Sequence, residues 1–207
     1  MLKCLDLCSG LGGFSEAFVL SENWDVLRID NNPLLSEVPD TWIIDIFEFR
    51  DNLADMIERG YKPDHVDVIL ASPPCREFSM GYGSPRSQAS RDGTLQDYEP
   101  DMTILEAVMD IIKMLKPTYY IIENVKGAVK YFTPILGNCK TSIKRTWFLW
   151  GKFPGLNIDE KIIPLKKTLD VHSKNPLRVN IRSVIPIQIS KAILHAIECQ
   201  TTLDYWI

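Results

Sequence analysis

The chain has 207 residues, of which 45% are hydrophobic and 24% are charged. These values are typical of one sizeable globular domain and exclude a disordered, collagen-like or disulfide-scaffold protein. No apolar run approaches the roughly 18 residues that span a bilayer, and the first residues reach a Gly-rich turn too early for a signal peptide. The five cysteines form no CxxC pair. We therefore expect a cytoplasmic protein with reduced thiols, no metal site and no membrane contact.

Charge is distributed very unevenly along the chain. The formal net charge is −4, which alone argues against a nucleic-acid partner. Residues 1–139 carry −10, whereas residues 140–191 carry +8. The basic stretch is either an ordinary solvated surface or a flank that faces phosphates.

Short apolar runs alternate with segments of helical spacing. The runs lack clean polar alternation, which predicts strands buried on both faces of a sheet, at 2–7, 24–29, 42–44, 66–71, 119–122 and 146–150. Helical spacing is found at 14–20, 53–59, 102–115 and 186–197. This order predicts an α/β fold with a mostly parallel sheet, whose ligands bind at the carboxyl ends of the strands.

The segment 79–100 has no apolar period and contains three glycines, two prolines and four serines. About 20 structureless residues inside a compact domain indicate a functional or mobile loop. A disordered insertion is the alternative.

The first predicted strand runs into a Gly-rich turn at 8–13, and a helix follows. Glycines allow a ligand to approach the backbone, and the helix start offers free N–H groups. The spacing is neither G-x-G-x-x-G nor a Walker loop, so an adenosine-type ligand and a purely structural turn both stay open. Asp30 follows the second strand and suits ribose hydroxyls. Asp45 follows the third and suits an adenine amino group.

Two reactive groups follow the fourth and fifth strands. In Ser-Pro-Pro-Cys75 the prolines fix the backbone before the thiol, which can act as a nucleophile where its pKa is lowered. A small buried hydrophobe is the alternative. Glu123 ends at the same predicted edge, where a desolvated carboxyl can stay protonated and act as an acid. A surface glutamate is the alternative there.

In this order the segments 6–18, 72–75 (SPPC), 123–125 (ENV) and 182–193 resemble the DNA cytosine-5 methyltransferase family, over nearly the whole chain. The segments SPPCREFS and FLWGKFP also resemble those of compact methyltransferase-like proteins that phages and prophages encode. The resemblance implies an enzyme with a Rossmann-like, mostly parallel mixed sheet, S-adenosylmethionine as cofactor and DNA as partner. It further implies a cytoplasmic setting in a bacterium, an archaeon or a phage-infected host, and a role in DNA modification such as restriction-modification.

The resemblance also assigns roles to residues. Cys75 would attack C6 of a cytosine flipped out of duplex DNA, Glu123 would hold N3, and C5 would receive the methyl group. The loop 79–100 would close over the base. The substrate pocket would be formed by Pro74, Arg76, Ser79, Asn124 and Val125. The cofactor pocket would be formed by Asp6, Cys8, Gly10, Leu11, Gly12, Gly13, Asp30, Asn31, Asp45, Ile46, Pro73 and Ser183.

Several positions depart from the family pattern. Cys8-Ser9 stands where the family often has an aromatic residue followed by a small one, and Asn31 stands where an adenine-stacking aromatic residue is frequent. Both departures bear on cofactor affinity. Arg76 replaces a frequent glutamine and either helps to hold the thiolate or meets a phosphate. Arg145 is the best match to the family's paired-Arg motif and is expected to contact base or phosphate.

Length limits what the chain can do with DNA. The sequence divides into a catalytic and cofactor-binding part (1–150), a minimal basic insert (151–180) and a C-terminal segment that packs back (181–207). The family places a sequence-reading domain where the insert lies, and units below about 40 residues rarely fold alone. The insert's lysines suit phosphate contacts; they are Lys152, Lys161, Lys166, Lys167 and Lys174. We predict weak or very short sequence specificity, or specificity supplied by a partner chain.

Other functions remain open at this stage. One branch of the same family methylates tRNA with the same Pro-Pro-Cys and Glu-Asn-Val. A related enzyme that modifies pyrimidine C5 with another one-carbon donor is a second alternative. A degenerate member that binds DNA or protects a partner is disfavoured because Cys75 and Glu123 are both present. A nicotinamide-dependent enzyme would need neither motif.

Overall fold

The computed structural model describes residues 1–158, 161–162 and 174–204, the last four by their backbone alone. Within these ranges seven strands form one sheet in the order β3-β2-β1-β4-β5-β7-β6. The strands are β1 Leu2–Leu7, β2 Trp24–Asp30, β3 Thr41–Ile43, β4 Val68–Ala71, β5 Tyr119–Asn124, β6 Thr141–Ile143 and β7 Trp147–Lys152. Strands β1 to β5 pair in parallel, whereas β7 is antiparallel to both β5 and β6. The predicted α/β class with a mixed, mostly parallel sheet is confirmed.

Helices cover both faces of the sheet. They are α1 Glu16–Val19, α2 Ile46–Glu58, α3 Pro85–Arg91, α4 Thr103–Leu115, α5 Val129–Leu136, α6 Arg178–Ser183 and α7 Ile187–Asp204. One apolar cluster joins the sheet to α2, α4 and α5, and a second joins it to α1 and α7. All four residues of β4 are fully buried between these clusters, because a central parallel strand has helices on both sides.

Some elements start or end away from their predicted bounds. The helix predicted at 53–59 begins already at Ile46, because the Asp45 carboxylate caps it by accepting from the Phe47 N–H at 2.9 Å. Strand β5 extends through Glu123 and Asn124, since both pair with the antiparallel β7. The segment 79–100 is not structureless, and this prediction is wrong. Ser84 caps helix α3, and Pro85 occupies its first turn.

The described part of the basic insert packs on the domain. Phe153 and Ile162 are buried in the second cluster. The Lys140 ammonium donates to the Phe153 carbonyl, and the Lys144 ammonium donates to the Ile162 carbonyl at 3.1 Å. These two lysines of the basic stretch therefore bind backbone oxygens of the chain itself. Lys166 and Lys167 lie outside the described residues.

Helix α7 closes the second face of the sheet. Its Ser190 hydroxyl donates to the Phe14 carbonyl at 2.7 Å and accepts from the Ala17 N–H at 3.0 Å. Ile189 and Ile193 are fully buried beside it. The first half of α7 is thereby fixed against the turn that follows β1. No helix in the described ranges is both long and apolar enough to cross a bilayer.

Candidate active site

The predicted site residues of the first five strands lie at one edge of the sheet. Asp30 is the last residue of β2, and Asp45 follows β3 directly before α2. Cys75 follows β4, and Glu123 is the penultimate residue of β5. Because these strands are parallel and adjacent, their carboxyl ends form a continuous rim. This arrangement brings the proposed cofactor and catalytic residues together.

Cys75 opens a single 3-10 turn, Cys75–Glu77, that is held against β4 and β5. The Phe78 and Ser79 N–H groups donate to the Cys75 carbonyl at 3.0 and 2.9 Å. The thiol is partly buried. Its pKa is raised above the ordinary value, first by burial and second by the charge of Glu123, while its own backbone N–H acts in the opposite direction. The resting side chain is therefore a thiol in a confined position next to a carboxyl group.

Glu123 is a partly buried carboxyl group with no compensating partner. Within the described residues its carboxylate oxygens make no hydrogen bond or ion pair, although its backbone pairs with β7. Desolvation raises its pKa from 4.5 to about 8, because burial penalises the charged form. The group is mainly protonated at neutral pH and is able to donate a hydrogen bond.

Asn124 links the two catalytic segments. Its side-chain N–H donates to the Pro73 carbonyl at 2.9 Å, and its side-chain oxygen accepts from the Val125 N–H at 2.9 Å. The residue is buried. Asn124 was predicted to bind substrate, but both of its polar ends bind the chain itself. Its structural effect is to fix Pro73, and with it the nucleophile segment, to the end of β5.

The turn after β5 lies tightly against the segment after β4. A Cβ atom on Gly127 would lie 1.9 Å from the Phe78 carbonyl oxygen and 2.2 Å from the Arg86 Nη1. Such distances are impossible for a side chain, so this approach requires glycine. The same Arg86 Nη1 donates to the Phe78 carbonyl at 2.8 Å. Arg86 thus ties the 79–100 segment to the catalytic rim.

The far end of the 79–100 segment is bonded to the turn Cys75–Glu77, here called the nucleophile turn. The Tyr98 hydroxyl donates to a Glu77 carboxylate oxygen at 2.6 Å and lies 3.0 Å from the Glu77 carbonyl. Burial, and next the hydrogen bond to Glu77, raise the pKa of the Tyr98 phenol. At the near end, the Ser84 hydroxyl donates to the Ser79 carbonyl at 2.7 Å. Sequence patterns do not identify these anchors, because they join residues that are far apart or bind backbone atoms.

The Gly-rich turn has an unusual backbone. Cys8, Gly10 and Gly12 have φ angles of 57°, 56° and 76°, in the left-handed region that favours glycine. The Gly10 N–H donates to one oxygen of Asp30 at 2.8 Å, and the Asn32 N–H donates to the other at 3.0 Å. The Asp30 carboxylate therefore holds the turn directly.

Asp6 and Asp45 occupy different positions around this turn. Asp6 is fully buried beneath the turn, where one oxygen accepts from the Ser15 hydroxyl at 2.6 Å. It supports the turn from below and does not reach its open side. Asp45 is partly buried and accepts from Asn31 Nδ2 at 3.1 Å, while Asn31 itself is exposed. Of the other predicted cofactor residues, Leu11 and Gly13 are partly buried, whereas Ile46 and Pro73 are buried.

Helix α6 approaches the same turn from the C-terminal part of the chain. A Cβ atom on Gly13 would lie 2.5 Å from the Ile185 carbonyl oxygen, and one on Gly10 would lie 3.8 Å from Asn180 Nδ2. Asn180 also accepts from Asn32 Nδ2 at 3.4 Å. Ser183 is exposed, and its hydroxyl donates within α6. Asn180, three residues before Ser183, was missed by the sequence analysis and lies nearer to the turn.

Arg76 and a small cavity lie beside the nucleophile. Arg76 is exposed and is not among the groups that shift the Cys75 pKa. The predicted support of a thiolate by Arg76 is therefore not seen. The adjoining cavity of about 140 Å³ is lined on one side by Pro73, Pro74 and Arg76 and on the other by Ile104 and Leu105.

Arg145 lies at the tip of the β6–β7 hairpin. Lys144 and Arg145 both have positive φ angles, 49° and 56°, as the two central residues of a tight hairpin turn often have. Arg145 is exposed. Arg145 precedes Leu149, the register partner of Glu123, by four positions, so at ~3.3 Å per residue Arg145 and Leu149 are up to about 13 Å apart. The structure places Arg145 near the rim but not against the catalytic pair.

Comparison with known families gives a decisive match. The model of the C-5 cytosine-specific DNA methylase family matches residues 2–140. The chain belongs to this family. Membership in the C-5 cytosine-specific DNA methylases confirms the predicted family.

Individual relatives share limited identity with the chain. DNA (cytosine-5)-methyltransferase CMT1 of Oryza sativa subsp. japonica is 23% identical over 193 residues, which is 78% of this chain and 17% of the relative. The "probable DNA (cytosine-5)-methyltransferase" of Frog virus 3 is 31% identical over 126 residues, 59% of this chain and 53% of the relative. Type II methyltransferase M1.HphI of Haemophilus parahaemolyticus is 26% identical over 149 residues, which is 69% of this chain and 36% of the relative.

A solved structure of Entamoeba histolytica methyltransferase EhMeth has 15% sequence identity and a TM-score of 0.41, and covers 79% of this chain and 56% of that one. The present chain spans about half or less of the length of the curated C-5 methylase relatives described above. The reaction, substrate and partners of this particular chain are therefore matters of proposal.

Proposed function

We propose that this chain transfers a methyl group from S-adenosylmethionine to C5 of cytosine in double-stranded DNA. The observation that carries the proposal is the juxtaposition of a confined Cys75 thiol and a protonated Glu123 carboxyl at the ends of adjacent strands. A nucleophile beside an acid at neutral pH is what addition to a pyrimidine ring requires. A cytoplasmic location is part of the proposal, supported by five free cysteines.

Cys75 and Glu123 would divide the work on the base. The Cys75 sulfur, once deprotonated, would form a bond to C6 of a flipped cytosine. Glu123 in its acid form would donate to N3 and offset the negative charge that this addition pushes into the ring. C5 would then bond to the methyl carbon as the bond from that carbon to the sulfur of S-adenosylmethionine breaks, which leaves S-adenosylhomocysteine. Loss of the C5 proton to solvent would break the bond between sulfur and C6 and restore the aromatic ring.

The residues around the Gly-rich turn fit S-adenosylmethionine chemically. The left-handed glycines Gly10 and Gly12 leave the backbone open to close approach. Asp30 and Asp45 place two carboxylates at the ends of neighbouring strands, where ribose hydroxyls and an adenine amino group would donate to them. Each carboxylate oxygen of Asp30 accepts a single N–H group, so lone pairs remain for a ribose.

The base pocket would lie between the turn Cys75–Glu77 and the segment 79–100. Pro74 and Arg76 are exposed at its mouth, and Ser79 is partly buried at the loop entrance. Asn124 and Val125 would act by fixing the turn, as their contacts with Pro73 and with each other indicate. The exposed Arg76, Lys126 and Arg145 would contact phosphates around the rim.

Incubation with duplex DNA or tRNA that contains 5-fluorocytosine, together with labelled S-adenosylmethionine, tests the function. The C5 fluorine cannot leave as a proton does, so the adduct is trapped. We expect a denaturation-resistant adduct with DNA that carries the label. An adduct with tRNA alone would support an RNA methyltransferase, and an unlabelled adduct would indicate another donor. The absence of both adduct and cofactor binding would leave a degenerate DNA-binding protein.

We also propose that the chain alone discriminates little between DNA sequences. The basic stretch 140–191 is short, and two of its lysines make internal contacts. Lys140 and Lys144 bind backbone oxygens of the chain itself. In a competition assay at fixed salt, we expect scrambled duplexes of equal length to compete within about threefold of one another. Tight discrimination of a long site by the lone chain would contradict this proposal. Specificity gained only with a second protein would support a partner chain.

A further inference from the structure

A buried arginine lies directly beneath the Gly-rich turn. The Arg28 side chain is 1% exposed. It lies on β2, and its register partner on β1 is Asp6. Burial of a guanidinium is costly and is normally tolerated only where its N–H groups are bonded. Neither the predicted catalytic residues nor the predicted cofactor residues include Arg28, so the reaction as proposed leaves it without a role.

The guanidinium joins three parts of the chain. One terminal nitrogen, Nη2, donates to the Gly12 carbonyl at 2.9 Å and to a Glu16 carboxylate oxygen at 2.9 Å. Nε donates to the Ser15 hydroxyl at 2.9 Å, and Nη1 donates to the Pro39 carbonyl at 3.1 Å. The Gly-rich turn, the start of α1 and the segment before β3 are therefore held by one planar group.

The Ser15 hydroxyl extends this network to Asp6. It accepts from Arg28 and donates to Asp6 at 2.6 Å. Burial raises the pKa of Asp6 to about 7, and the Ser15 hydrogen bond and the Arg28 charge oppose that rise. The carboxyl group, the hydroxyl and the guanidinium thus form one buried chain under the turn, in which removal of Arg28 leaves polar groups without a partner.

The turn is shaped to fit the arginine. A Cβ atom on Gly12 would lie 2.3 Å from Arg28 Cζ, and the φ angle of Gly12 is +76°. Glycine is therefore required at this position by Arg28 as well as by the backbone conformation. The left-handed turn rests on the guanidinium, and its carbonyl at Gly12 is directed inward by a charged donor. The opposite side of the turn is left to the ligand.

We propose that Arg28 is a positioning residue that holds the Gly-rich turn in the conformation that binds S-adenosylmethionine. The proposal rests on the proposed function in that the ligand is this cofactor. Arg28 acts through the turn and touches neither cofactor nor base. Its loss would release the Gly12 carbonyl and allow the turn to sample other conformations. The affinity for the cofactor would then fall by the same factor as the fraction of molecules whose turn has the binding conformation.

The experiment measures cofactor affinity by calorimetry in Arg28→Met, Arg28→Lys and the control Arg59→Met. Arg59 forms an exposed ion pair with Asp55 at the end of α2, away from the turn. We expect Arg28→Met to bind S-adenosylmethionine at least about tenfold more weakly. Arg28→Lys should be intermediate, because a lysine keeps the charge but not the planar fork. Arg59→Met should bind like the wild type.

Amide hydrogen exchange of residues 8–13 without cofactor supplies the second readout. Faster exchange in the Arg28 variants than in Arg59→Met supports the proposal. A purely structural role would lower the melting temperature and leave affinity at 20 °C unchanged. Folded Arg28 variants that bind within twofold of the wild type would overturn the proposal.

If Arg28→Met does not fold, Arg28→Lys and Ser15→Ala carry the test. If the wild type binds no S-adenosylmethionine, the proposed function fails, while the exchange data still decide whether Arg28 holds the turn.

Discussion

Replacing Cys75 by serine is expected to lower the rate of methyl transfer to DNA by about 10³-fold or more. A serine hydroxyl in this position is not ionised at neutral pH and is a much weaker nucleophile than a thiolate. Burial at this position disfavours a negative charge, so the serine hydroxyl stays protonated there. The change removes one sulfur atom and leaves the turn Cys75–Glu77 and its backbone hydrogen bonds in place.

The measurement is the initial rate of label transfer from S-adenosylmethionine to DNA. The matched control is Cys199→Ser, because Cys199 is an exposed cysteine on α7 outside the catalytic rim. We expect this control to retain the wild-type rate. Binding of S-adenosylmethionine to Cys75→Ser should also be retained, which would show that the cofactor pocket is intact. A Cys75→Ser rate within tenfold of the wild type would mean that the nucleophile is assigned to the wrong residue.

The rim of site residues was predictable because it follows from the order of the strands. Parallel strands present their carboxyl ends at one edge, so residues that follow successive apolar runs must meet there. Asp30, Asp45, Cys75 and Glu123 all lie where this rule places them. The rule needs only the location of each strand end and tolerates an error of one or two residues, such as that at the end of β5.

The supports beneath the rim were not predictable in the same way. Arg28 lies within a strand and carries no local signal for burial, since its partners Gly12 and Pro39 come from other elements. Tyr98 and Arg86 reach the nucleophile turn from the segment 79–100. Helix α3 did have a local signal in Ser84-Pro85, an N-cap followed by proline. The high glycine and serine content of the segment masked it.

Glu123→Gln is expected to change both stability and reactivity, and the two effects depend on pH in opposite ways. Desolvation raises the pKa of Glu123 to about 8 in the folded chain, against an ordinary value of 4.5. A raised carboxyl pKa contributes stability that is fully present below pH 4.5 and is lost as the pH rises towards 8. Glutamine is neutral at every pH and does not incur this loss.

In urea unfolding, the free energy of unfolding of Glu123→Gln should therefore exceed that of the wild type at pH 8.5, by up to about 5 kcal/mol. At pH 4.5 the two proteins should be nearly equal. The exposed Glu58 at the end of α2 provides the control variant Glu58→Gln, which should behave like the wild type at both pH values. Equal stability of Glu123→Gln and wild type at pH 8.5 would mean that Glu123 is not desolvated in solution.

The same substitution should lower methyl transfer by about 10²- to 10⁴-fold at pH 7, because the acid that serves N3 is lost. Wild-type activity should fall as the pH rises through about 8, where Glu123 ionises.

The ionised carboxylate also raises the pKa of the Cys75 thiol, so Glu123→Gln should lower that pKa. Alkylation of Cys75 by iodoacetamide measures this effect directly, with the midpoint of its pH–rate curve moved to lower pH in the variant. A transfer rate that falls while thiol reactivity rises separates the loss of an acid from damage to the nucleophile, which would lower both.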